Sequence, residues 1–396
     1  MAMHMDTAGD DGGHGREGGV RFGVLDETSR MESRVALTPD MATRLAKLGV
    51  TCMVQEGAGV AASYRDEDYR KAGAQVCARQ EILDQIDALG FIDRPSSELI
   101  KAIRPGTWVL GMLASLTDPD YLQELEGAGL VGLAMERLPR QLSSAQSMDE
   151  MSSQNSVMGY KAVLLAANEY GSFLPMMTTA AGTIRPAKVL VLGAGIAGLQ
   201  AIGTAKRLGA VVTAYDVRPA SRGEVESLGG KFLDLGLDFS QGQGEGGYAR
   251  QLTVQEQSAQ QAAVDGKAAD FDIVITTAKV PGRKPPVLLT QAGVSNLHPG
   301  AVVVDCAASD LGGNVEGSRV GSFTTQGGVR IIGAPNLPSQ VATTASNLLA
   351  RNLADTLAHF LRQGRLSLDM TDELDQALVV AGCGQEPAPA AGSEEK

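Results

Sequence analysis

Residues 188–218, KVLVLGAGIAGLQAIGTAKRLGAVVTAYDVR, constrain the fold of this 396-residue chain more than any other segment. An apolar run meets the pattern Gly193-x-Gly195-x-x-Gly198, and a helix-forming segment and a second apolar run then lead to Asp216. In such a layout the first glycine permits a tight turn and the second lets the backbone approach a pyrophosphate. The third lets the helix pack close to the strand. The segment therefore predicts a dinucleotide-binding βαβ unit.

The acidic end of this unit indicates which dinucleotide it prefers. Asp216 lies 23 residues after Gly193, where a carboxylate accepts hydrogen bonds from an adenosine ribose 2′-OH and repels a 2′-phosphate. The helix N-terminus offers unpaired N–H groups and a positive dipole end to the phosphates. Glycine is common in this chain, 48 residues of 396, so a turn that merely allows close packing is the alternative. Strand, helix, second strand and acidic end together favour NAD(H).

The composition excludes several classes of protein. The net charge of −12 argues against nucleic acid as a partner and against adsorption to anionic lipid. No apolar run approaches the roughly 20 residues that cross a bilayer, and the N-terminal segment has no apolar signal-peptide region. We expect disordered tails at 1–19 and 385–396. Four cysteines without CxxC spacing fit a reducing cytoplasm, and the scarcity of histidine, four residues, fits a reaction that needs none.

Strand-like and helix-like segments alternate along most of the chain. This alternation predicts an α/β fold with two doubly wound, parallel-sheet (Rossmann-like) domains and a ligand-binding cleft between them. A polar stretch, 136–155, precedes a helix-like segment at 159–172. A helix at about 339–363 has an apolar stripe with which it can return to the first domain. We therefore expect a discontinuous first domain and an NAD(H)-binding second domain, at 20–150 plus 338–384 and at 151–337.

The polar stretch contains a candidate nicotinamide-binding loop. It reads AQSMDEMSSQ and follows Arg140. One interpretation is a plain inter-domain loop, with Asp149 or Ser152 as the N-cap of the next helix. The functional interpretation is that glutamine and aspartate hold the carboxamide and the ribose, because an amide offers a donor and an acceptor while a carboxylate accepts from hydroxyls. The residues alone leave both interpretations open.

Several segments together resemble one family. They are AQSMD in the loop, PMMTTAAGT at 175–183, VESLGGKF at 225–232, GGYA at 246–249 and TTAKVPG at 276–282. From about residue 20 to 363, the chain is similar to the NAD(H)-binding alpha subunits of the proton-translocating NAD(P) transhydrogenases. The resemblance implies that NADH bound here passes its hydride directly to NADP⁺ on a separate beta subunit, without a general acid or base. It also implies a homodimer, membrane-spanning partner subunits that move protons, and a cytoplasmic position beside the inner (or photosynthetic) membrane.

The resemblance carries functional roles onto matching residues of this chain. Four residues correspond to side chains that position the nicotinamide and its ribose: Arg140, Gln146, Asp149 and Ser152. The implied cofactor-binding residues are Ser147 and Met148 in the same loop, Gly193, Ala194, Gly195, Ile196 and Gly198 in the turn, Asp216, Val217 and Arg218 at the adenosine end, Gly247 and Tyr248 in a mobile loop, and Ala278 and Lys279 in TTAKVPG. No metal is implied.

This chain departs from the family pattern in several places. One extra residue separates Arg140 from Gln146, which makes Arg137 an alternative to Arg140. Ser144 stands where the family has a second arginine, and Lys279 stands where an apolar residue is usual. A lysine at that position changes the charge beside a bound dinucleotide.

Two other functions remain as alternatives. Alanine dehydrogenase shares the two-domain architecture, and Arg34 in RVALTP matches its substrate-carboxylate arginine. Amino-acid deamination needs a proton-transfer group and a polarising cation near the substrate. The family lysine is missing from IDRP at 92–95, and the dehydrogenase histidine is missing from GMLASLT at 111–117. The second alternative is a catalytically silent NADH-binding module, suggested only by Lys279 and the altered arginine pattern.

Overall fold

The computed structural model of the chain describes residues 19–28, 32–237, 252–279 and 284–382. Within them, seven strands form a first sheet: Arg21–Val24 (β1), Thr51–Gln55 (β2), Gln75–Cys77 (β3), Ala88–Gly90 (β4), Trp108–Gly111 (β5), Val131–Ala134 (β6) and Val379–Ala381 (β18). Their order is β18-β6-β5-β4-β1-β2-β3. Strands β1 to β6 are parallel, and the edge strand β18 is antiparallel to β6.

Helices connect these strands and cover both faces of the sheet: Pro39–Ala46 (α1), Asp66–Lys71 (α2), Arg79–Gln85 (α3), Ser97–Ala102 (α4) and Pro119–Gly127 (α5). Local sequence sets several helix starts, because α1 and α5 begin with proline and the Asp118 side chain caps α5. The strands are apolar because parallel sheets are buried on both faces. Leu110 lies in the core on one face, and its neighbour Val109 lies in the core on the other.

Seven further strands form the second sheet: Lys188–Leu192 (β9), Val211–Tyr215 (β10), Lys231–Phe232 (β11), Ile273–Thr276 (β12), Val302–Asp305 (β13), Gly321–Thr324 (β14) and Arg330–Gly333 (β15). Their order is β11-β10-β9-β12-β13-β15-β14, with β14 antiparallel to β15 and the other neighbours parallel. The helices around this sheet are Ile196–Arg207 (α7), Ser221–Ser227 (α8), Val254–Ala268 (α9) and Gln291–Asn296 (α10).

The strand order reverses between β9 and β12, which is the switch point where doubly wound sheets bind ligands. The predicted fold class is confirmed: the chain is α/β, with two doubly wound sheets. An antiparallel edge strand, which the sequence patterns did not predict, is added to each of them.

Two long helices run between the sheets: Glu150–Glu169 (α6) and Ala342–Phe360 (α11). Helix α6 contacts both α7 and α11. The apolar stripe predicted for α11 packs into the core of the first sheet through Leu349, Leu353, Leu357 and Phe360, while Leu361 is partly buried beside it. Helix α11 and strand β18 therefore return the end of the chain to the first sheet.

Helix α6 begins earlier than predicted. The helix-like segment was expected at 159–172, whereas the helix starts at Glu150 and ends at Glu169. The Asp149 side chain accepts a hydrogen bond from the Ser152 N–H at 2.9 Å, and this N-cap lets the polar residues before 159 adopt helical geometry. The predicted helix start is wrong, and Asp149 is the N-cap residue of the two candidates.

Smaller elements complete the described chain. Met177–Thr179 (β7) and Gly182–Ile184 (β8) form an exposed antiparallel hairpin, Leu361–Arg362 (β16) and Arg365–Leu366 (β17) form a second one, and Glu373–Leu378 (α12) precedes β18. No helix in the described ranges is long and apolar enough to span a bilayer. Residues 1–18, the predicted tail at 385–396, and the loop residues Gly247 and Tyr248 lie outside the described residues.

Candidate functional site

A cleft of about 1440 Å³ lies between the two sheets. Its lining follows the carboxyl ends of strands from both: residues 92–94 after β4, Glu136 after β6, Gly193 after β9 and Thr277 after β12. The described lining residues include neither histidine nor cysteine. The cleft therefore contains the β9–β12 switch point, where the glycine pattern was predicted to bind a dinucleotide.

The glycine turn after β9 is shaped by close packing of main-chain atoms. Gly193 has a φ of +98°, a conformation that favours glycine. A Cβ atom on Gly198 would lie 1.8 Å from the Gly193 carbonyl oxygen, so only glycine fits there. A Cβ atom on Gly195 would meet nothing within 4 Å. Both Gly195 and Ile196, where α7 begins, line the cleft, so the turn presents open space and unpaired helix N–H groups to a ligand.

Asp216, at the end of β10, is held by the turn and by Arg218. One carboxylate oxygen accepts from the Ala194 N–H at 2.8 Å, and the other accepts from the Arg218 N–H at 2.8 Å and its Nε at 3.0 Å. The guanidinium also donates to the Ala194 carbonyl at 3.1 Å. Burial lowers the pKa of Arg218, but the hydrogen bonds and charge of Asp216 outweigh it, so the pKa is raised overall. Val217 lines the cleft between these two residues.

The segment after β12 closes the other side of the turn. The Thr277 Oγ1 donates to the Gly193 carbonyl at 3.0 Å. The buried Asn314 holds both main-chain groups of Ala278, accepting from its N–H and donating to its carbonyl at 2.9 Å each. Lys279 follows, with its side chain exposed to the cleft. Desolvation lowers the pKa of the Lys279 ammonium. Asn314 was not predicted from the sequence, because its contacts come from 36 residues away.

On the first-sheet side, Arg140 lines the cleft near the start of α6. Its Nη2 donates to the Met151 sulfur at 2.9 Å, and its Nε lies 3.8 Å from the Asp149 carboxylate. The Ser152 hydroxyl donates to the same carboxylate. Three of the predicted nicotinamide-binding residues thus lie together, although only Arg140 is among the described lining residues. Arg137 is exposed and outside the lining.

The loop before α6 is a 3-10 helix, Ser143–Met148. Gln146 and Ser147 are exposed on it and are not among the described lining residues of the cleft, whereas Met148 is buried in the first core. Asn352 on α11 anchors this loop by donating to the Ser147 carbonyl at 2.8 Å. The sequence did not indicate Asn352, since 205 residues separate it from Ser147.

Arg34, the residue that matches an alanine dehydrogenase position, is buried in a complete hydrogen-bond network. Its Nε and Nη2 form a bidentate pair with Glu32 at 2.9 and 2.8 Å, and its Nη1 donates to the Gln154 Oε1 at 2.8 Å. Burial raises the pKa of Glu32, but the hydrogen bonds and charge of Arg34 outweigh it and lower that pKa to about 2. A guanidinium with these partners, outside the cleft lining, is not placed to hold a substrate carboxylate.

Glu150, the first residue of α6, is buried without compensation. Its side chain is 3% exposed, and its Oε2 atom has no hydrogen-bond partner. Burial raises the pKa of Glu150 to about 8; the charge of Arg34 opposes this rise, while the charges of Glu136, Glu27 and Asp149 add to it. The base of the candidate nicotinamide loop therefore contains a carboxyl group that resists ionisation.

Family models match both halves of the chain. The model described as Alanine dehydrogenase/PNT, N-terminal domain, matches residues 23–158, and the one described as Alanine dehydrogenase/PNT, C-terminal domain, matches residues 162–386. The two sheets and the glycine turn define a two-part α/β protein of the dinucleotide-binding class. The chain belongs to the alanine dehydrogenase/PNT family, and membership of this family implies NAD(H) binding.

Individual relatives place the chain nearer to transhydrogenases than to alanine dehydrogenases. It is 40% identical to the first of the alpha-subunit polypeptides of the Rhodospirillum rubrum NAD(P) transhydrogenase, over 92% of this chain and 96% of that one. It is 37% identical to the subunit alpha of Haemophilus influenzae, over 93% of this chain and 72% of that one. A crystal structure of transhydrogenase from Sinorhizobium meliloti superposes with a TM-score of 0.78 at 39% identity, covering 91% and 97% of the two chains.

The alanine dehydrogenase of Mycobacterium tuberculosis is 29% identical, over 76% of this chain and 75% of that one. The resemblance to transhydrogenase alpha subunits is thus confirmed, and the alanine dehydrogenase alternative is disfavoured.

Proposed function

We propose that this chain is the NAD(H)-binding alpha subunit of an NAD(P) transhydrogenase. NADH binds in the cleft and supplies a hydride that passes directly to NADP⁺ held by a partner beta subunit, and membrane-spanning subunits couple this step to proton translocation. The observation that carries the proposal is the open glycine turn at the switch point of the cleft. It occurs in a chain 40% identical to a transhydrogenase alpha subunit.

The residues of the cleft suit alignment rather than proton transfer. The turn from Gly193 to Gly198 and the start of α7 bind the diphosphate through main-chain N–H groups. Asp216 accepts from the adenosine ribose, which requires its carboxylate to share or exchange hydrogen bonds with Arg218. Hydride transfer between two nicotinamides needs no general acid or base, which agrees with the lack of histidine and cysteine in the described lining.

At the other end, Arg140 holds the nicotinamide carboxamide, and Asp149 with Ser152 fixes the start of α6 beneath the ring. Gln146 holds the nicotinamide ribose. Its exposed position on the 3-10 helix suits a side chain that meets a ligand shared with a partner protein. Gly247 and Tyr248 belong to the loop that closes over the nucleotide.

We propose the domain bounds 20–150 plus 338–384 and 151–337. The packing of α11 in the first core and the pairing of β18 with β6 support a discontinuous first domain.

We further propose a homodimer that forms through the β7–β8 hairpin. Every residue of both strands is exposed, and Met176, Met177 and Ile184 present apolar surface to solvent at 64, 36 and 38% exposure. The double change Met177→Lys and Ile184→Lys should shift the mass measured by light scattering from dimer to monomer. Val254→Lys, at another exposed apolar residue, is the matched control.

The transfer reaction tests the main proposal. The chain should bind NADH, show little transfer alone, and reduce an NADP⁺ analogue once a transhydrogenase beta-type NADP(H)-binding domain is added. Gln146→Ala should lower the transfer rate, while Gln141→Ala, at an exposed glutamine outside the AQSMD loop, should leave it unchanged. Reduction of NAD⁺ by L-alanine, or tight NADH binding without transfer to the added partner, would contradict the proposal.

A further inference from the structure

Lys279 is a cation placed beside the glycine turn. Its segment abuts the turn directly: the Thr277 Oγ1 donates to the Gly193 carbonyl, and a Cβ atom on Gly193 would come within 3.1 Å of the Ala278 nitrogen. Asn314 fixes Ala278 at both main-chain groups, so the residue that follows has a defined origin. Lys279 and the turn line the same cleft.

The ammonium of Lys279 has no anionic partner among the described residues. The nearest buried carboxylate in the sheet, Asp305, is 0% exposed and already accepts from the Thr276 hydroxyl and from the N–H groups of Ala307 and Val315. Desolvation in the cleft lowers the pKa of Lys279, so its charge is disfavoured in the absence of an anion. An anion bound at the turn would remove that penalty.

We propose that Lys279 is a phosphate-binding residue whose ammonium donates hydrogen bonds to the diphosphate of the bound dinucleotide. The inference rests on the proposed function, since it assumes that NAD(H) binds at the turn. It adds a charged contact to the neutral main-chain N–H groups that surround the diphosphate. A lysine acts on a phosphate as a mobile point charge, so its contribution should depend on salt.

One different placement must be distinguished. If the ammonium lay against the nicotinamide ring instead, it would repel the positively charged ring of NAD⁺ and leave the neutral ring of NADH unaffected. A diphosphate contact acts equally on every ligand that contains the diphosphate, whatever the charge on the ring.

The test compares three ligands with wild-type chain, Lys279→Leu and Lys279→Arg by calorimetry at low and high salt. Lys279→Leu should weaken NADH, NAD⁺ and ADP-ribose by a similar factor of about 10, as expected for one charge-assisted hydrogen bond. The factor should shrink at high salt, Lys279→Arg should restore most of the affinity, and all variants should melt at the wild-type temperature. The matched control is Lys188→Leu, at the exposed amino end of β9, which should bind like wild type.

Three outcomes would overturn the assignment. These are unchanged affinities for all three ligands in Lys279→Leu, tighter NAD⁺ with unchanged ADP-ribose, which places the ammonium at the ring, and an equal loss in Lys188→Leu, which reflects net charge alone. Failure of the proposed function has a separate signature, because the wild-type chain would then bind neither NADH nor ADP-ribose.

Discussion

The two sides of the cleft are held in place by different kinds of contact. On the second-sheet side, the turn from Gly193 to Gly198 is shaped by main-chain atoms a few residues apart, with no room for a single added carbon at Gly198. On the first-sheet side, the loop before α6 is anchored by Asn352, 205 residues further along the chain. The first arrangement tolerates almost no variation in geometry. The second can adjust, which suits a loop that meets both a ligand and a partner protein.

The largest effect is expected from breaking the rigid side. Gly198→Ala places a Cβ atom 1.8 Å from the Gly193 carbonyl oxygen, so the turn must move. We expect a loss of about 3 kcal/mol in stability, at the upper end for overpacked sites, together with loss of NADH binding. Thermal unfolding and calorimetric titration with NADH measure the two effects.

Gly195→Ala is the matched control, because its Cβ atom meets nothing and its φ of −77° suits alanine. It should keep the wild-type melting temperature and still weaken NADH, because the added methyl group occupies space needed by the diphosphate. If Gly198→Ala melted at the wild-type temperature, the turn would not be rigid. If Gly195→Ala bound NADH normally, the open face would not be the phosphate site.

The second prediction tests the cost of the buried Glu150 on the adjustable side. Its pKa is raised to about 8 from an ordinary value of 4.5, so the folded state retains a proton that the unfolded state loses between these values. Stability should therefore fall as pH rises from about 4.5 to 8 and stay level above that. Glu150→Gln removes the ionisation and should stabilise the chain by about 2 kcal/mol at pH 9, since each pKa unit is worth about 1.4 kcal/mol.

Melting temperatures at pH 5, 7 and 9 check this sign. The gain in Glu150→Gln should be large at pH 9 and close to zero at pH 5, whereas Glu126→Gln, at an exposed glutamate, should show no such trend. A variant less stable than wild type at pH 9 would mean that the ionised carboxylate is stabilised in place, with Arg34 as its partner.

The same difference between the two sides explains what could be predicted from the sequence. The turn was predicted because its determinants, three glycines and Asp216, lie within one short segment with a strand on each side of the helix. The nicotinamide loop was assigned only through family resemblance, since Gln146 and Ser152 in a polar stretch also suit an ordinary helix cap. Asn352 and Asn314 were missed because a buried asparagine has no local pattern, and its partners become neighbours only when the chain folds.

The third and smallest prediction loosens the adjustable side without touching the cleft. Asn352 donates to the Ser147 carbonyl at 2.8 Å and accepts from the Ser153 hydroxyl at 2.7 Å, so it ties the loop and the first turn of α6 to α11. Asn352→Ala should cost about 1 kcal/mol of stability, the usual contribution of a hydrogen bond. The loop would then sample more positions for Gln146, and the rate of hydride transfer to an added NADP(H)-binding partner should fall severalfold.

The affinity for NADH should change less than the transfer rate in Asn352→Ala, because the diphosphate and adenosine are bound on the opposite side of the cleft. The matched control is Asn296→Ala on α10, which removes a similar side-chain hydrogen bond, to the Asp265 carbonyl at 2.9 Å, and should lower stability without changing transfer. Equal transfer losses in the two variants would show that the loop needs no anchor of its own, and the contrast between the two sides would not extend to function.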